Sequence, residues 1–303
     1  MKTALTIGNF DGLHLGHKQL IHRVLEFSRE HDLTPALLTF DPHPTKVVAP
    51  DRAPKLLTNL DRRKDLIHAA GIEHIEVLPF TAELAKLTPR EFIEQILAGK
   101  LRARAVVVGD NFRFGNKAAG DVYLLKEMGR EFGFDTDVLQ AISWRGTVIS
   151  SSAIRARVLS GDVSRACRML GRPYCLEGEV VRGHGVGKKQ TVPTLNLATQ
   201  AEVLPAAGVY VTRTSEIGSS RRWRSVTNIG YRPTFGDDNR LSIETFLLDP
   251  LEDATPHEIR VEFLKRVRGE RKFETPEALK AQILHDANRA RRLLRSLEVL
   301  YLK

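Results

Sequence analysis

Two segments of the chain carry side chains whose types and spacing suit phosphate chemistry. Gly8-Asn9-Phe10-Asp11-Gly12-Leu13-His14-Leu15-Gly16-His17 joins a strand-like run to a helical one. Glycine permits close backbone approach to a ligand, and the free amides at a helix start favour anionic oxygens. His14 and His17 stand three apart at that helix mouth, so both rings can face one phosphate and stabilise charge on a phosphorus under attack. A purely structural turn fits the same segment as well. A metal pair fits it poorly, because the segment has neither the HExxH pattern nor an obvious third ligand. Far along the chain, Gly183-His184-Gly185-Val186-Gly187-Lys188-Lys189-Gln190 precedes Thr191-Val192-Pro193-Thr194-Leu195-Asn196. Those glycines do not form a Walker A loop, since no Gly-Lys-Ser/Thr follows, and alone they read as a flexible turn rather than a phosphate cradle. Thr194 and Asn196 say more. Two apart on an extended segment, they share one side, and their hydroxyl and amide oxygens are hard donors suited to Mg²⁺.

The scaffold behind these segments has two textures. In the first half, strand-like and helical runs alternate. Residues 4–8 lead to a helical stripe of Leu20, Ile21, Val24 and Leu25, and residues 36–40 lead to a helix over about 59–70 that stops at Gly71. Residues 75–78 lead to a helix opened by the Thr88-Pro89-Arg90-Glu91 capping box and running to about Ala98. The β-branched run at 105–108 is followed by a helix over 122–132 and a strand over 135–142. This order predicts an α/β domain with an open parallel sheet and helices on both faces. Ligands of such sheets bind beyond the carboxyl ends of the strands, where Gly8, Phe40 and Gly109 fall. Helical segments at 151–159 and 163–170 then run into Gly171-Arg172-Pro173, which sets the expected domain boundary: 1–173 and 174–303. Beyond it, six short β-type runs, at 175–182, around 195–197, and at 209–214, 223–229, 243–248 and 259–264, have no helical pattern between them. They predict a small antiparallel β-barrel. A last helix, from Thr275-Pro276, carries Leu279, Ile283, Ala290, Leu294 and Leu297 at helical spacing for packing on that barrel.

Composition narrows the function classes. A chain of 303 residues suffices for two cores, and 42% hydrophobic with 27% charged residues describes a globular protein rather than a disordered one. No apolar run approaches the ~20 residues that span a bilayer. The first residues read as a strand and not as a signal peptide, and Cys167 and Cys175 are too few for a disulfide framework. A cytoplasmic location without membrane attachment is expected, as a monomer or weak homo-oligomer. The net charge of +9 suits either a nucleic-acid surface or an enzyme handling anionic phosphates. Aromatics are 7% and no basic run is interleaved with stacking rings, so small phosphorylated substrates are expected and nucleic acid is not.

A resemblance sharpens this reading. GNFDGLHLGH is similar to the HxGH signature of the nucleotidylyltransferase superfamily, in the form found in bacterial bifunctional riboflavin kinase/FAD synthetases. Thr39-Phe40-Asp41-Pro42-His43-Pro44, then Val108-Gly109-Asp110-Asn111-Phe112-Arg113-Phe114-Gly115, then Ile149-Ser150-Ser151-Ser152-Ala153-Ile154-Arg155 follow in that family's order. Pro193-Thr194-Leu195-Asn196 resembles the riboflavin kinase PTAN motif with leucine for alanine. Asn228-Ile229-Gly230-Tyr231-Arg232-Pro233-Thr234-Phe235-Gly236 resembles its NIGxRPTF segment, and Ser242-Ile243-Glu244-Thr245-Phe246 the strand bearing its catalytic glutamate. The likeness covers nearly the whole chain.

It implies a Rossmann-like nucleotidyltransferase domain followed by a riboflavin-kinase barrel with a C-terminal helix. It further implies Mg²⁺-dependent phosphorylation of riboflavin to FMN by ATP, then adenylylation of FMN to FAD with release of pyrophosphate. By position, His14 and His17 would contact the ATP phosphates, Gly8 and Phe10 would line the nucleotide pocket, and Asn111 would orient the reacting phosphates. Ser152 and Arg155 would clamp the departing β- and γ-phosphates. The FMN phosphate is already anionic, so positioning and charge neutralisation should dominate. In the kinase, Gly183, Gly185, Gly187, Thr194 and Asn196 would hold Mg²⁺-ATP, with Thr194 and Asn196 as metal donors. Glu244 would take the proton from the ribityl 5′-hydroxyl, a poor nucleophile at neutral pH. The chain departs from the family at Gln190-Thr191-Val192, where a Leu-Gly-Phe-like stretch is usual; the β-branched pair would stiffen that turn or narrow the ATP pocket.

Overall fold

The computed structural model describes residues 2–181, 194–232, 240–252, 254–271, 273 and 275–301. They divide into two units, Met1–Ser151 and Ser152–Lys303. The first contains, in order, β1 (Thr3–Ile7), α1 (Leu15–His31), β2 (Thr34–Asp41), α2 (Pro44–Val48), α3 (Leu60–Ala69), β3 (His74–Pro79), α4 (Ala82–Lys86), α5 (Pro89–Glu91), β4 (Ala103–Gly109), α6 (Val122–Phe132), β5 (Asp135–Leu139), β6 (Ser143–Trp144) and β7 (Thr147–Val148). The five main strands form one sheet in the order β3-β2-β1-β4-β5, and every pairing is parallel.

Alternation along each strand feeds two cores. Leu5, Ile7, Leu38, Phe40, Val106 and Val108 enter one, with Phe92, Ile93, Leu97, Leu125 and Met128. Ala4, Leu37, Ala105 and Val107 enter the other, with Ile21 and Val24 of α1 and Ile67 of α3. With both faces covered, the strands read as continuous apolar runs. The helices begin where capping side chains stand. Asn59 Oδ1 accepts from the Arg62 amide at 2.9 Å, Asp121 Oδ1 accepts from the Tyr123 and Leu124 amides, and Thr88 and Glu91 make the capping box.

Two elements differ from the sequence expectation. The helix opened at Thr88 does not stop near Ala98; it continues from Phe92 to Lys100 as a π-helix, closing with a bond from the Leu101 amide to the Ile96 carbonyl. The wide turn brings position 99 close to the Glu94 carbonyl, where a Cβ would lie 2.8 Å from the oxygen, so glycine fits there. The last strand ends at Leu139, three residues early, because the chain leaves the sheet to form the β6–β7 hairpin.

The second unit opens with α7 (Ser151–Leu159), whose first residue closes the first unit, and α8 (Val163–Leu170). Then come β8 (Tyr174–Val181), β9 (Thr194–Ala198), β10 (Gly208–Glu216), β11 (Arg222–Arg232), β12 (Arg240–Leu247), β13 (Glu258–Gly269) and α9 (Pro276–Tyr301). The strands close into an antiparallel barrel, β10-β11-β12-β9-β8-β13. Its interior holds a chain of buried hydroxyls. Thr214 meets Ser225, Ser225 meets Thr212, and Thr212 meets Thr227, each at 2.8 Å; Thr227 meets Thr245 at 3.0 Å. Ser225, Thr212 and Thr227 each donate one bond and accept another, and Thr214 and Thr245 end the line with one partner each, so none of the five is stranded. On the outward face Val209, Val211 and Val226 pack with Ala290 and Leu294 of α9, two of the helix positions expected to face the barrel.

A buried ion pair holds α9 as well. Asp286 is 3% exposed and accepts bonds of 2.9 Å from Arg268 Nε, Arg268 Nη2 and Gln282 Nε2. Removing the buried carboxylate would take from the half-buried Arg268 its ion-pair partner and from the Gln282 amide its acceptor. Asp286→Ala should destabilise the barrel unit by about 2–4 kcal/mol, read from the urea midpoint; a loss below about 0.5 kcal/mol, the scale of an exposed pair, would contradict it.

Candidate active sites

The first candidate site begins where β1 ends, at the point where strand order changes direction between β2 and β4 flanking it. Gly8, Phe10, His14, His17 and Asn111 all line one cleft of about 900 Å³ there. The turn that delivers the histidines is unusual backbone. Phe10, Gly12 and Leu13 have φ of 49°, 77° and 37°, and only one of the three is glycine. Left-handed backbone costs a residue with a side chain about 1 kcal/mol or more, so surroundings must hold it. They do so at several points. The Phe10 and Leu13 side chains are buried, and the Leu13 amide donates to the Phe10 carbonyl at 3.1 Å. Asp11, 3% exposed, accepts from the Leu57 and Thr58 amides at 2.9 and 3.1 Å, and the Gly12 amide donates to Thr58 Oγ1. Ser151 Oγ donates to the Asp11 carbonyl at 2.9 Å. Arg63 Nη1 donates to the Asn9 carbonyl at 2.7 Å. Asp11 and Ser151 thus anchor the loop.

His14 caps α1. Its Nδ1 accepts from the His17 amide at 3.3 Å, which places the proton of the neutral ring on Nε2. The two rings stack, centroids 3.6 Å apart and 15° from parallel, and Phe10 lies against His17 with centroids 5.0 Å apart. The stack depends on Gly16: a Cβ there would lie 3.1 Å from His14 Cε1 and 3.2 Å from Nδ1. No acidic residue occupies the first turn of α1, so the positive end of the helix dipole adds to these donors. His43 caps α2 by accepting from the Thr45 amide at 3.2 Å, and its Nε2 lies 3.1 Å from the Asn9 side-chain amide, tying that loop to the turn.

Asn111 sits in the turn after β4, closed by the Phe112 amide on the Gly109 carbonyl at 3.0 Å. Lys86, Arg113 and Lys117 line the same cleft. These cations carry no separate signal in the sequence beyond the place of Arg113 in the 108–115 segment. Arg63 escaped as well. Burial lowers its guanidinium pKa, while Asp11 and Asp41 act to raise it. Ser152 and Arg155 lie on the first two turns of α7, Ser152 exposed and Arg155 half-buried; neither is among the cleft-lining residues.

The second candidate site is a row across three barrel strands. Glu244 on β12 pairs directly with Asn196 on β9 and with Asn228 on β11, and Thr194 pairs with Phe246 one step along. Their neighbours Leu195 and Thr245 are buried, and Thr245 belongs to the interior hydroxyl chain. Alternation therefore turns Thr194, Asn196, Asn228 and Glu244 to the barrel's outer face, where Thr194, Asn196, Asn228 and Glu244 are half-buried. Gly183, Gly185 and Gly187, with the departing Gln190-Thr191-Val192, lie outside the described residues.

Residues 1–153 match the FAD synthetase family and residues 170–294 match the riboflavin kinase family. The chain is 36% identical to the bifunctional riboflavin kinase/FMN adenylyltransferase of Escherichia coli, over 95% of its own length and 91% of that protein's. It belongs to this bifunctional family. The protein of the same name from Bacillus subtilis is 33% identical, over 98% of this chain and 94% of that one. The first unit is accordingly an FAD synthetase and the barrel a riboflavin kinase. Among solved structures, the chain is similar to one described as a macrolide-efflux protein from Streptococcus pneumoniae, with TM-score 0.86 and 27% identity over 96% of this chain and 94% of that one. Among the described residues no helix is long and apolar enough to cross a membrane.

Gly16→Ala should push the His14 ring off its stack while leaving both cores intact. A displacement of this size at a reacting centre costs up to about 100-fold. FAD formation from FMN should therefore fall by about 10- to 100-fold, with FMN formation from riboflavin unchanged, in a flavin-product assay.

Proposed function

We propose that the cleft beyond β1 is where FMN attacks ATP, and that the row on the barrel is where riboflavin is phosphorylated. The observation that carries the first assignment is the His14–His17 stack, set at the start of α1 and sharing one cleft with Gly8, Phe10 and Asn111. An FMN phosphate oxygen attacks the α-phosphorus of ATP, a new anhydride forms, the bond to the bridging oxygen breaks, and pyrophosphate leaves. No proton has to be removed from the nucleophile. The chain's task is to bring two anions together, and the imidazole N–H groups, the start of α1 and the lining cations Lys86, Arg113 and Lys117 suit that task. Asn111 orients the phosphates, and Ser152 and Arg155 on α7 hold the β- and γ-phosphates.

In the kinase the ribityl 5′-hydroxyl attacks the γ-phosphorus and ADP leaves. Glu244 takes the hydroxyl proton, a role supported by its place opposite Asn196 on the half-buried outer face. Thr194 and Asn196 fit Mg²⁺ by their chemistry: neutral hard oxygens suit an ion that keeps most of its ligands as water and phosphate oxygen. Held by these two residues, Mg²⁺ would neutralise phosphate charge as it develops. Gly183, Gly185 and Gly187 complete the nucleotide-binding set.

The domain junction belongs near residue 173, supported by Gly171, whose φ of 67° ends α8, and by the start of β8 at Tyr174. A cytoplasmic enzyme, monomeric or weakly self-associating, suits substrates that are small phosphorylated metabolites.

The deciding experiment follows flavins over time with riboflavin and Mg²⁺-ATP. FMN should appear first and FAD second. Glu244→Gln should lower FMN formation by about 100-fold or more while FAD formation from supplied FMN persists. His17→Ala should do the reverse, lowering only FAD formation, by about 10- to 1,000-fold. A single variant that stops both steps would contradict separate sites.

A further inference from the structure

Arg63 is a costly residue to place where it stands. It projects from α3 and is 1% exposed, and its Nε and Nη2 have no hydrogen-bond partner among the described residues. A buried guanidinium with unfilled donors is worse for folding than a leucine or methionine of similar bulk. Stability alone does not explain it.

What it does touch is specific. Nη1 donates to the Asn9 carbonyl at 2.7 Å and lies 3.4 Å from Thr39 Oγ1, and Nη2 is 3.8 Å from Asp41 Oδ1. Asn9 opens the left-handed turn that ends at His14. The same short stretch of chain, 57–63, also supplies the two amides that hold Asp11 and the hydroxyl that receives the Gly12 amide. The turn is thus fastened to one neighbour at Asn9, Asp11 and Gly12. Arg63 is the fastening that brings a positive charge, within reach of the Asp11 and Asp41 carboxylates and beneath backbone that must receive a polyphosphate.

We propose that Arg63 is a positioning residue for adenylyl transfer: it fixes the Asn9 carbonyl, and through the turn it fixes the His14–His17 stack against the triphosphate. The inference rests on the assignment of this cleft to adenylyl transfer. It separates Arg63 from a core-filling role, because the carbonyl and the charge matter and the bulk does not. Lysine would keep the charge but lacks the fork that reaches Asn9, Thr39 and the Asp41 side together.

The test uses the full chain and both reactions, with FMN formation from riboflavin as the internal control. Arg63→Met should lower kcat for FAD formation by about 10- to 100-fold, with KM for FMN and the kinase rate each within about twofold. Arg63→Lys should recover part of that loss. In a His17→Ala background, Arg63→Met should cost less than about threefold, because the group it positions is gone. The proposal is overturned if Arg63→Met leaves kcat unchanged, if the full penalty persists without His17, or if kcat and both KM values simply worsen in step with a fall in Tm. Should Arg63→Met not fold, the same cycle with Arg63→Lys decides: a loss that vanishes without His17 supports the proposal, and a loss that remains overturns it. His17→Ala with undiminished FAD formation would instead remove the assignment of the cleft on which the inference stands.

Discussion

The first domain depends on one constraint: a chain leaving a buried parallel strand must reverse within a few residues and enter a helix that starts at the cleft. Phe10, Gly12 and Leu13 meet it by adopting left-handed backbone, a conformation that residues with side chains hold only when their surroundings insist. Much of the neighbouring structure can be read as that insistence. Phe10 and Leu13 are sunk in the core, Asp11 is fastened to the loop before α3, Ser151 at the start of α7 reaches the Asp11 carbonyl, and His43 at the start of α2 meets Asn9. The catalytic appearance of the site follows from the hold on that loop as much as from its histidines.

The barrel solves a different problem. The side chains proposed to act in it come from strands far apart in sequence, and register alone brings them together. Glu244 faces Asn196 on one side and Asn228 on the other because β12 is sandwiched between β9 and β11. A shift of one residue on β12 would turn Glu244 inward among hydroxyls and bring Thr245 out. The interior chain of threonines and serine resists such a slip, since each hydroxyl has its partner only in the observed pairing.

The sequence carried most of the architecture and one half of each site. Strand–helix alternation, the capping box at Thr88, and six β-type runs in the second half all have their counterparts in the fold. The His14–His17 spacing and the shared side of Thr194 and Asn196 were legible because both depend on local geometry, a helix turn in one case and a strand pleat in the other. Arg63 was not legible. On α3 it sits among charged neighbours and reads as a solvated face; only the arrival of Asn9 from the turn after β1, and of Thr39 and Asp41 from β2, makes its position interior. The polar barrel interior was equally hidden, since β-type periodicity reports that one face is buried and not what fills it. The π-helical extension to Lys100 likewise depends on a wider hydrogen-bond ring that apolar spacing does not reveal.

The interior hydroxyls have a consequence for how the barrel can vary over generations. They form an unbranched line with Thr214 and Thr245 at its ends and Thr212 at its centre. Protons along such a line must all point the same way round, so an exchange of threonine for valine is not equivalent at every position. At an end it removes a single link. At the centre it severs the line into two fragments and strips two neighbours of a partner at once, in a place water cannot easily reach. Drift should therefore fray this barrel's interior from Thr214 or Thr245 inward, and lineages that change Thr212 should be found to have changed Ser225 and Thr227 with it.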